Sequence, residues 1–408
     1  MGLSGWFAGR ALRATRVLVV EGGGGFSVRV AVERAARGRG WRTAESPASA
    51  DALVVAGGVG EELGTVVEGV WDAMPGPRAR AVVLTVEDVD AALDDLAGAL
   101  ADGRGQALDA ESRTAPDLSS DGDGHGGMDH EGHGGMDQEG HGGMDQEGHG
   151  GMDQEGHGGM DHEGHEGMEH SHMGHGDMDM APDGIPLAEG SDEDRDGLEM
   201  DALPVRLGPV LPHWPAGLVL DLALHGDLVV EASARLLDEH ESHTSPEDAP
   251  ATRAARRCDE VAALLALAGA VEAEQLARSA RDALLDHRGD DARALLVDVR
   301  HRLEHSRLLA WSLRGVGVIA PQRAEELGLP PEVSGDCRDR LLRLVERAIA
   351  AAHSYAGTAD GDDVRPAVVP VARWGALVRD CDVAVARLVV ATLGTPTPTS
   401  EREGARHG

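Results

Sequence analysis

The sequence predicts an α/β N-terminal domain and an α+β C-terminal domain dominated by a helix bundle, joined by a low-complexity segment. Three patterns predict this organisation: short apolar strands alternate with amphipathic helices, an octad repeat of His, Met, Asp and Gly follows, and helical periodicity dominates thereafter. We expect a small, parallel, flavodoxin-like sheet over residues 1–102, a disordered linker over 103–200, a β lead-in and helix bundle over 201–396, and a disordered tail over 397–408.

The first domain shows three strand–helix units. Each apolar run is short, β-branched and followed by glycine or proline, and each helical pattern places its apolar residues on one face. The predicted strands are Arg16–Glu21, Ala50–Gly58 and Ala79–Thr85, and the predicted helices start at Phe26, Glu61 and Val86.

The last domain opens with strand patterns and continues as helices. "GLVLDLAL" and "DLVVEASA" are separated by His225-Gly226, which predicts a hairpin. Apolar residues then recur at helical spacing over 257–268, 273–285, 292–313, 338–352 and 374–393, and "GVIAPQRAEELGLPPEVSG" interrupts them as a connector.

Composition excludes several classes of protein. A net charge of −35 argues against a nucleic-acid partner, because binding the phosphate backbone needs a basic surface. The three cysteines form no CxxC pair, which favours a reducing compartment and predicts no iron–sulfur cluster. No apolar run reaches the length of a membrane span, and the N-terminus lacks the apolar core of a signal peptide.

The octad repeat is a candidate metal-binding segment. Residues 121–180 hold eleven His, nine Met and sixteen Asp or Glu, without Arg or aromatic residues. Imidazole, thioether and carboxylate ligands together indicate copper, nickel or zinc, bound weakly at many sites. The alternative is a low-complexity linker without a metal role. The candidate ligands are His125, His133, His141, His149, His157, His162, His165, His170, His172, His175, Met168 and Met173.

Two further motifs invite functional interpretations. "VEGGGGFSV" lies between a strand and a helix and could cradle a phosphate, although Ser27 stands where the dinucleotide pattern needs Gly. "HRLEH" places His301, Glu304 and His305 in an inverted-zincin spacing, but no third ligand is apparent, so a solvated helix face is the favoured interpretation. Cys258 and Cys381 are expected to be ordinary buried residues.

The stretch from Ser46 to Val83 resembles the B subunit of respiratory complex I, a relative of the small subunit of nickel–iron hydrogenases. An "SP…AD" entry, an apolar strand, a helix and a "D.MP.PR" turn follow one another as in that family. The residues that carry the resemblance are Ser46, Pro47, Ala50, Asp51, Met74, Pro75, Pro77 and Arg78.

The last domain is similar to the partner of that subunit, the complex I D subunit or hydrogenase large subunit. Its "LGPVLPHWPAGLVLDLALHGDLVVEA" is similar to the opening Gly-Pro turn and hairpin of the family. Its "RGVGVIAPQRAEELGLPPEVSGDCRDR" is similar to a connector of the same family, through Arg314 to Ile319, Ala324, Gly328, Gly335 and Asp339.

The departures from these families concern the redox groups. The B family ligates a four-iron cluster with four thiolates, whereas residues 1–257 contain no cysteine. The D family places a quinone-site histidine in a "GPQHP" turn, where this chain has Leu211; His213, two residues on, is the substitute candidate.

Three functional hypotheses follow. The first, implied by the resemblance, is a non-catalytic, cofactor-depleted subunit of a complex I-like or antiporter-like assembly, cytoplasmic or peripheral on the inner face of the plasma membrane, with membrane-arm subunits as partners. The second is a metal-storage or metal-delivery protein that acts through the repeat. The third is an active quinone-linked oxidoreductase subunit; catalysis by the chain alone is not expected.

Overall fold

The computed structural model describes residues 15–113, 202–238, 249–355 and 369–396. We call residues 15–113 the N-terminal region and the described residues from 202 onwards the C-terminal region. The octad repeat, with every metal ligand predicted in it, and the predicted tail at 397–408 lie outside the described residues.

The N-terminal region contains a four-stranded parallel sheet in the order β2-β1-β3-β4, with helices alongside, as the sequence predicts. Strand β2 was not predicted, because two exposed residues carry no apolar pattern. The elements are β1 (Arg16–Glu21), α1 (Phe26–Gly38), β2 (Arg42–Thr43), β3 (Ala52–Ala56), α2 (Glu61–Asp72), β4 (Ala79–Val83), α3 (Val89–Ala101) and α4 (Gly103–Ser112).

The buried faces of these elements explain why they form. All five residues of β3 are buried, because both faces of a parallel strand are covered. Val28 and Val32 of α1 pack with Val17 and Val54 on one side of the sheet. The other side packs against the apolar face of α2, namely Leu63, Val67 and Val70.

Helix α4 corrects the predicted start of the linker. The sequence pattern places that start at residue 103, but residues 103–112 form a helix. Asp102 caps it by accepting a hydrogen bond from the Arg104 amide at 3.1 Å. The Gln106 side chain accepts a bond from the Arg78 amide at 2.9 Å and donates one to the Arg78 carbonyl at 3.0 Å. These polar contacts replace the apolar stripe that periodicity detects, so the pattern misses the helix.

The C-terminal region combines a three-stranded antiparallel sheet, in the order β5-β6-β7, with helices. The predicted hairpin at His225-Gly226 joins β6 to β7. The elements are β5 (Leu203–Leu207), β6 (Leu218–His225), β7 (Leu228–Leu236), α5 (Pro250–Leu267), α6 (Val271–Leu285), α7 (Gly289–His305), α8 (Arg307–Leu313), α9 (Pro321–Glu326), α10 (Cys337–Tyr355), α11 (Trp374–Val378) and α12 (Val383–Leu393).

Two helices predicted as continuous are each divided by a capping residue. The Ser306 hydroxyl accepts a bond from the Leu309 amide at 3.2 Å and starts α8. The Asp382 carboxylate accepts one from the Val385 amide at 2.7 Å and starts α12. Apolar spacing continues across both breaks, so periodicity alone cannot place them.

Arg340 on α10 holds the connector between α8 and α10. Its guanidinium is buried and donates to the carbonyls of Gly317 at 2.8 Å and Gly335 at 2.5 Å, and to the Thr392 hydroxyl at 2.8 Å. Burial lowers the pKa of Arg340 from its ordinary value. Backbone dipoles thus solvate this charge and tie the connector to α10 and α12.

The N-terminal and C-terminal regions share their cores. Phe26 and Val30 of α1 pack into the core of the C-terminal region. Val219 of β6 and Leu237 pack with Leu18 and the rest of the α2 side of the sheet. The two regions therefore form one compact unit. No helix in the described ranges has the length and apolar character of a membrane span.

Candidate functional site

Two glycine loops meet at the carboxyl ends of β1 and β3, where open parallel sheets commonly bind ligands. The amide of Gly22 donates to the Ala56 carbonyl at 2.8 Å, and Gly23 and Gly58 exchange bonds of 2.7 and 2.9 Å. The Gly25 amide donates to Gly22 at 3.0 Å. Three of the four amides of the first loop are thus used inside the fold, so they cannot serve as the phosphate cradle that the glycine-rich pattern could have formed.

The glycines are required by the close approach of these loops. A Cβ atom on Gly22 would collide with the Gly58 carbonyl, and one on Gly25 would collide with the Ala56 carbonyl. Gly57 has φ of +96° and would place a Cβ 2.6 Å from the Gly25 Cα. The two loops are therefore in direct backbone contact, with no room for a side chain at these glycines.

Arg29 is the first centre of a charge network beside these loops. It extends from α1 and pairs with Glu21 at 2.5 Å, with Asp259 of α5 at 2.6 Å, and with Glu33 one helical turn on. The guanidinium therefore joins the end of β1 to the C-terminal region.

Arg281 of α6 is the second centre. Its side chain is 1% exposed and lies 2.9 Å from Glu33 and 2.6 Å from Asp259. Arg29 and Arg281 thus share two carboxylates, one from each region, and we call these four side chains the seam network. Burial alone would raise the pKa of Asp259, but Arg29 and Arg281 outweigh burial and hold that pKa well below its ordinary value. Glu33 behaves in the same way, its pKa lowered by both arginines against burial.

Arg256 of α5 covers the same end of the sheet. Its guanidinium lies 4.3 Å from the centroid of the Phe26 ring and 3.6 Å from Glu21. Helix α5 thus approaches the carboxyl end of β1, and charged side chains from both regions lie where a parallel sheet would hold a ligand.

His213, the predicted quinone-site candidate, lies in the β5–β6 connection, half buried, with φ of 59°. Arg387 of α12 donates to the carbonyl of the preceding Pro212 at 3.1 Å and holds this turn. Burial lowers the pKa of His213, and Arg278 lowers it further. The charged neighbours of the imidazole are Arg278, Glu274 and Arg387.

The other candidates show no convergent ligand set. Within the described residues, no three His, Cys, Asp or Glu side chains lie together as a metal site would require. The His301 and His305 rings lie 4.1 Å apart on an exposed face of α7, and Glu304 beside them lies 3.8 Å from Arg300. Cys258 is buried as expected and Cys381 only half buried, and burial raises the pKa of both thiols.

A second candidate surface surrounds the short helix α8. Leu308 and Trp311 are 74% and 79% exposed, which is unusual for side chains of this size. Arg307, Ala310, Trp311 and Arg314 line a surface cavity of about 370 Å³. Tryptophan and arginine are the side chains most enriched at the energetic centres of protein interfaces. We call this surface the Trp311 face.

The chain matches no protein-family model, and no curated protein is similar to it.

The seam network itself was not predicted from the sequence. One signal was present: Arg29 and Glu33 are four residues apart in the predicted helix, the spacing of a helical ion pair. Their partners, Asp259 and Arg281, come from distant helices and carry no comparable local signal.

Replacing Arg281 with Met tests the seam network. We expect the free energy of unfolding to fall by about 3 kcal/mol, because Glu33 and Asp259 lose a buried partner while both remain charged. Urea denaturation followed by circular dichroism gives the measurement. The control is Arg293→Met on the exposed surface of α7, whose nearest carboxylate lies 3.9 Å away; its effect should be below about 1 kcal/mol. Equal effects of the two substitutions would contradict a stabilising network.

The lowered carboxyl pKa values predict a loss of stability in acid. Because Asp259 and Glu33 titrate lower in the folded chain, the unfolded chain binds more protons as pH falls. Their contribution is complete above about pH 5 and is lost as pH falls through the folded pKa values. We therefore expect Asp259→Asn to lower the urea midpoint at pH 7 and to flatten its dependence between about pH 5 and pH 3. A parallel profile for the variant and the unaltered chain would contradict this assignment.

Proposed function

We propose that the chain is a non-catalytic, cofactor-depleted subunit of a membrane-associated assembly of the complex I and hydrogenase type. The observation that carries the proposal is the contact of the N-terminal and C-terminal regions through the seam network, at the carboxyl end of β1. The two regions resemble two partner subunits of that family, so this fused arrangement supports a shared origin. We assign the chain to the cytoplasmic side of the membrane.

The residues at that position do not fit an iron–sulfur cluster. Gly22 and Gly25 offer no thiolate, and neither has room for a Cβ atom. Helix α5 of the C-terminal region approaches this position and contributes Arg256 and Asp259, which are not ligands of iron–sulfur clusters. The strand order β2-β1-β3-β4 agrees with the flavodoxin-like arrangement that we propose for the N-terminal region. The fold is therefore proposed to act as a scaffold at this site.

The Trp311 face is our candidate for the contact with membrane-arm subunits. Leu308 and Trp311 offer apolar area, and no ion pair joins Arg307 or Arg314 to another described residue. A partner segment that carries both acidic and apolar side chains would pair with the two arginines and pack against Leu308 and Trp311.

Affinity purification from the native membrane tests this function. We expect the full chain to retain membrane-arm subunits, and the double variant Leu308→Ser and Trp311→Ser to retain roughly tenfold less, because a central tryptophan contributes heavily to binding. Quantitative mass spectrometry of the retained proteins gives the measurement.

The control for that experiment is Val271→Ser, which removes a side chain of 57% exposure at the start of α6. It should retain the partners fully. The absence of membrane subunits from every sample would contradict the proposal. A brown, redox-active sample would favour the quinone-linked oxidoreductase instead, with His213 as the first residue to replace.

Metal binding by the octad repeat is the second candidate function. The observation that favours it is the density of ligands: eleven His and nine Met within residues 121–180. Copper, nickel and zinc are the metals that such ligands take, and weak binding at several sites suits storage or delivery. This function is compatible with the scaffold, since it concerns a different part of the chain.

Deleting residues 121–180 separates the two candidates. We expect the full chain to bind several equivalents of copper(II) or nickel(II) by isothermal titration calorimetry at pH 7.5, with binding weakened at pH 5.5 as the imidazoles gain protons. The deleted chain should lose nearly all of this binding and keep its membrane partners. Undiminished metal binding after the deletion would exclude the repeat as the site.

A further inference from the structure

His301 and His305 are exposed side chains one turn apart at the carboxyl end of α7. Residues four positions apart on a helix lie on the same face. The centroids of the two rings are 4.1 Å apart, and the ring planes are inclined by 37°. The two imidazoles therefore lie side by side, and we call them the His301–His305 pair.

The spacing of the two rings suits one shared metal ion. A metal ion lies about 2 Å from an imidazole nitrogen, and hence about 3 Å from the centre of that ring. Two imidazoles bound at a right angle then have centroids about 4.4 Å apart, whereas tetrahedral coordination separates them by about 5 Å. The separation of 4.1 Å is closer to the right angle, which is the arrangement of copper(II) in tetragonal sites.

A hydrogen bond orients the ring of His305. Its Nδ1 lies 2.7 Å from the carbonyl oxygen of His301, which can only accept, so Nδ1 carries the proton and donates. Metal-bound histidines commonly use their second ring nitrogen in this way, because the bond fixes the tautomer and the direction of the ring. His305 therefore offers the lone pair of Nε2 to a metal ion.

The charges around the pair do not oppose a bound cation. Arg300 and Arg302 flank His301 in the sequence, but Arg300 lies 3.8 Å from Glu304, and Arg302 lies 2.6 Å from Glu272. The pair also lies at the carboxyl end of α7, where the helix dipole favours positive charge.

We propose that the His301–His305 pair binds one copper(II) ion, which imidazole ligands hold more tightly than other divalent first-row metals. Within the described ranges, no group of three His, Cys, Asp or Glu forms a metal site, so water takes the remaining coordination positions and the ion stays exchangeable. The site thus differs from the inverted-zincin interpretation of "HRLEH", because Glu304 is not a ligand. The proposal depends neither on the proposed function nor on metal binding by the octad repeat.

Footprinting of the full chain with diethyl pyrocarbonate tests the site. The reagent modifies free imidazoles, and mass spectrometry assigns each modified histidine. A glycine buffer sets the concentration of free copper(II), so copper held by the octad repeat does not change it. We expect His301 and His305 to become about tenfold less reactive together when free copper reaches about ten times the dissociation constant.

His287 is the matched control within the same chain. It is also exposed, and its Nδ1 also forms a hydrogen bond, at 2.5 Å from the Tyr355 hydroxyl. No histidine lies three or four residues from it in the sequence. Its reactivity should therefore stay unchanged at that copper concentration, because a single imidazole binds copper more weakly than two linked imidazoles.

Two variants test whether the rings act together. His301→Gln should remove the protection of His305 by raising the dissociation constant at least about tenfold, because the chelating partner is lost. Glu304→Gln should leave the protection intact. Circular dichroism verifies that both variants are folded.

Three results would count against the site. Protection of His301 and His305 that is no greater than that of His287, or protection of His305 that survives His301→Gln, would overturn the proposal. Loss of protection in Glu304→Gln would reveal a third ligand and overturn the two-ligand assignment.

Discussion

Four paired charges, of which Arg281 is fully buried and the other three are partly buried, join the N-terminal region to the C-terminal region. Arg29 and Glu33 come from the first helix, Asp259 and Arg281 from two helices more than 200 residues later, and each arginine contacts both carboxylates. A buried charge without its partner is strongly unfavourable, so the four groups must come together or remain in water. These ion pairs join the N-terminal region to α5 and α6 in addition to the apolar contacts between the two regions. The contact of Arg256 with Phe26 also joins the two regions.

Apolar packing supplies the bulk of the stabilisation around this network. Helix α1 buries Val28 and Val32 on the sheet and Phe26 and Val30 in the C-terminal region, so its two sides belong to two cores. Such a helix cannot leave one region without exposing the core of the other. The two regions are therefore expected to unfold together, and a single unfolding transition would be the natural behaviour of this unit.

The sequence predicted the elements of this fold better than their boundaries or contacts. Strong periodicity and β-branched runs were sufficient for β1, β3, β4 and most helices. Periodicity failed where a single polar side chain decides the structure: Ser306 and Asp382 end apolar patterns that otherwise continue, and Gln106 holds a helix that lacks an apolar stripe. The seam network was not predicted for another reason. Its four charged residues come from helices that are far apart in the sequence, and nothing in the local pattern of each helix indicates which residues will pair. The glycine run at residues 22–25 is visible in the sequence. The loop at residues 56–58 that it packs against could not be identified, because the sequence does not show which two loops come into contact.

The contact between the two glycine loops also restricts how this chain can change. A thiolate ligand at residue 22 or 25 needs a side chain, and the first carbon of that side chain meets a backbone carbonyl of the opposite loop. Moving that loop would displace the carboxyl end of β3, which pairs with strands on both sides. No single substitution at residue 22 or 25 can therefore supply a thiolate ligand here unless the opposite loop moves.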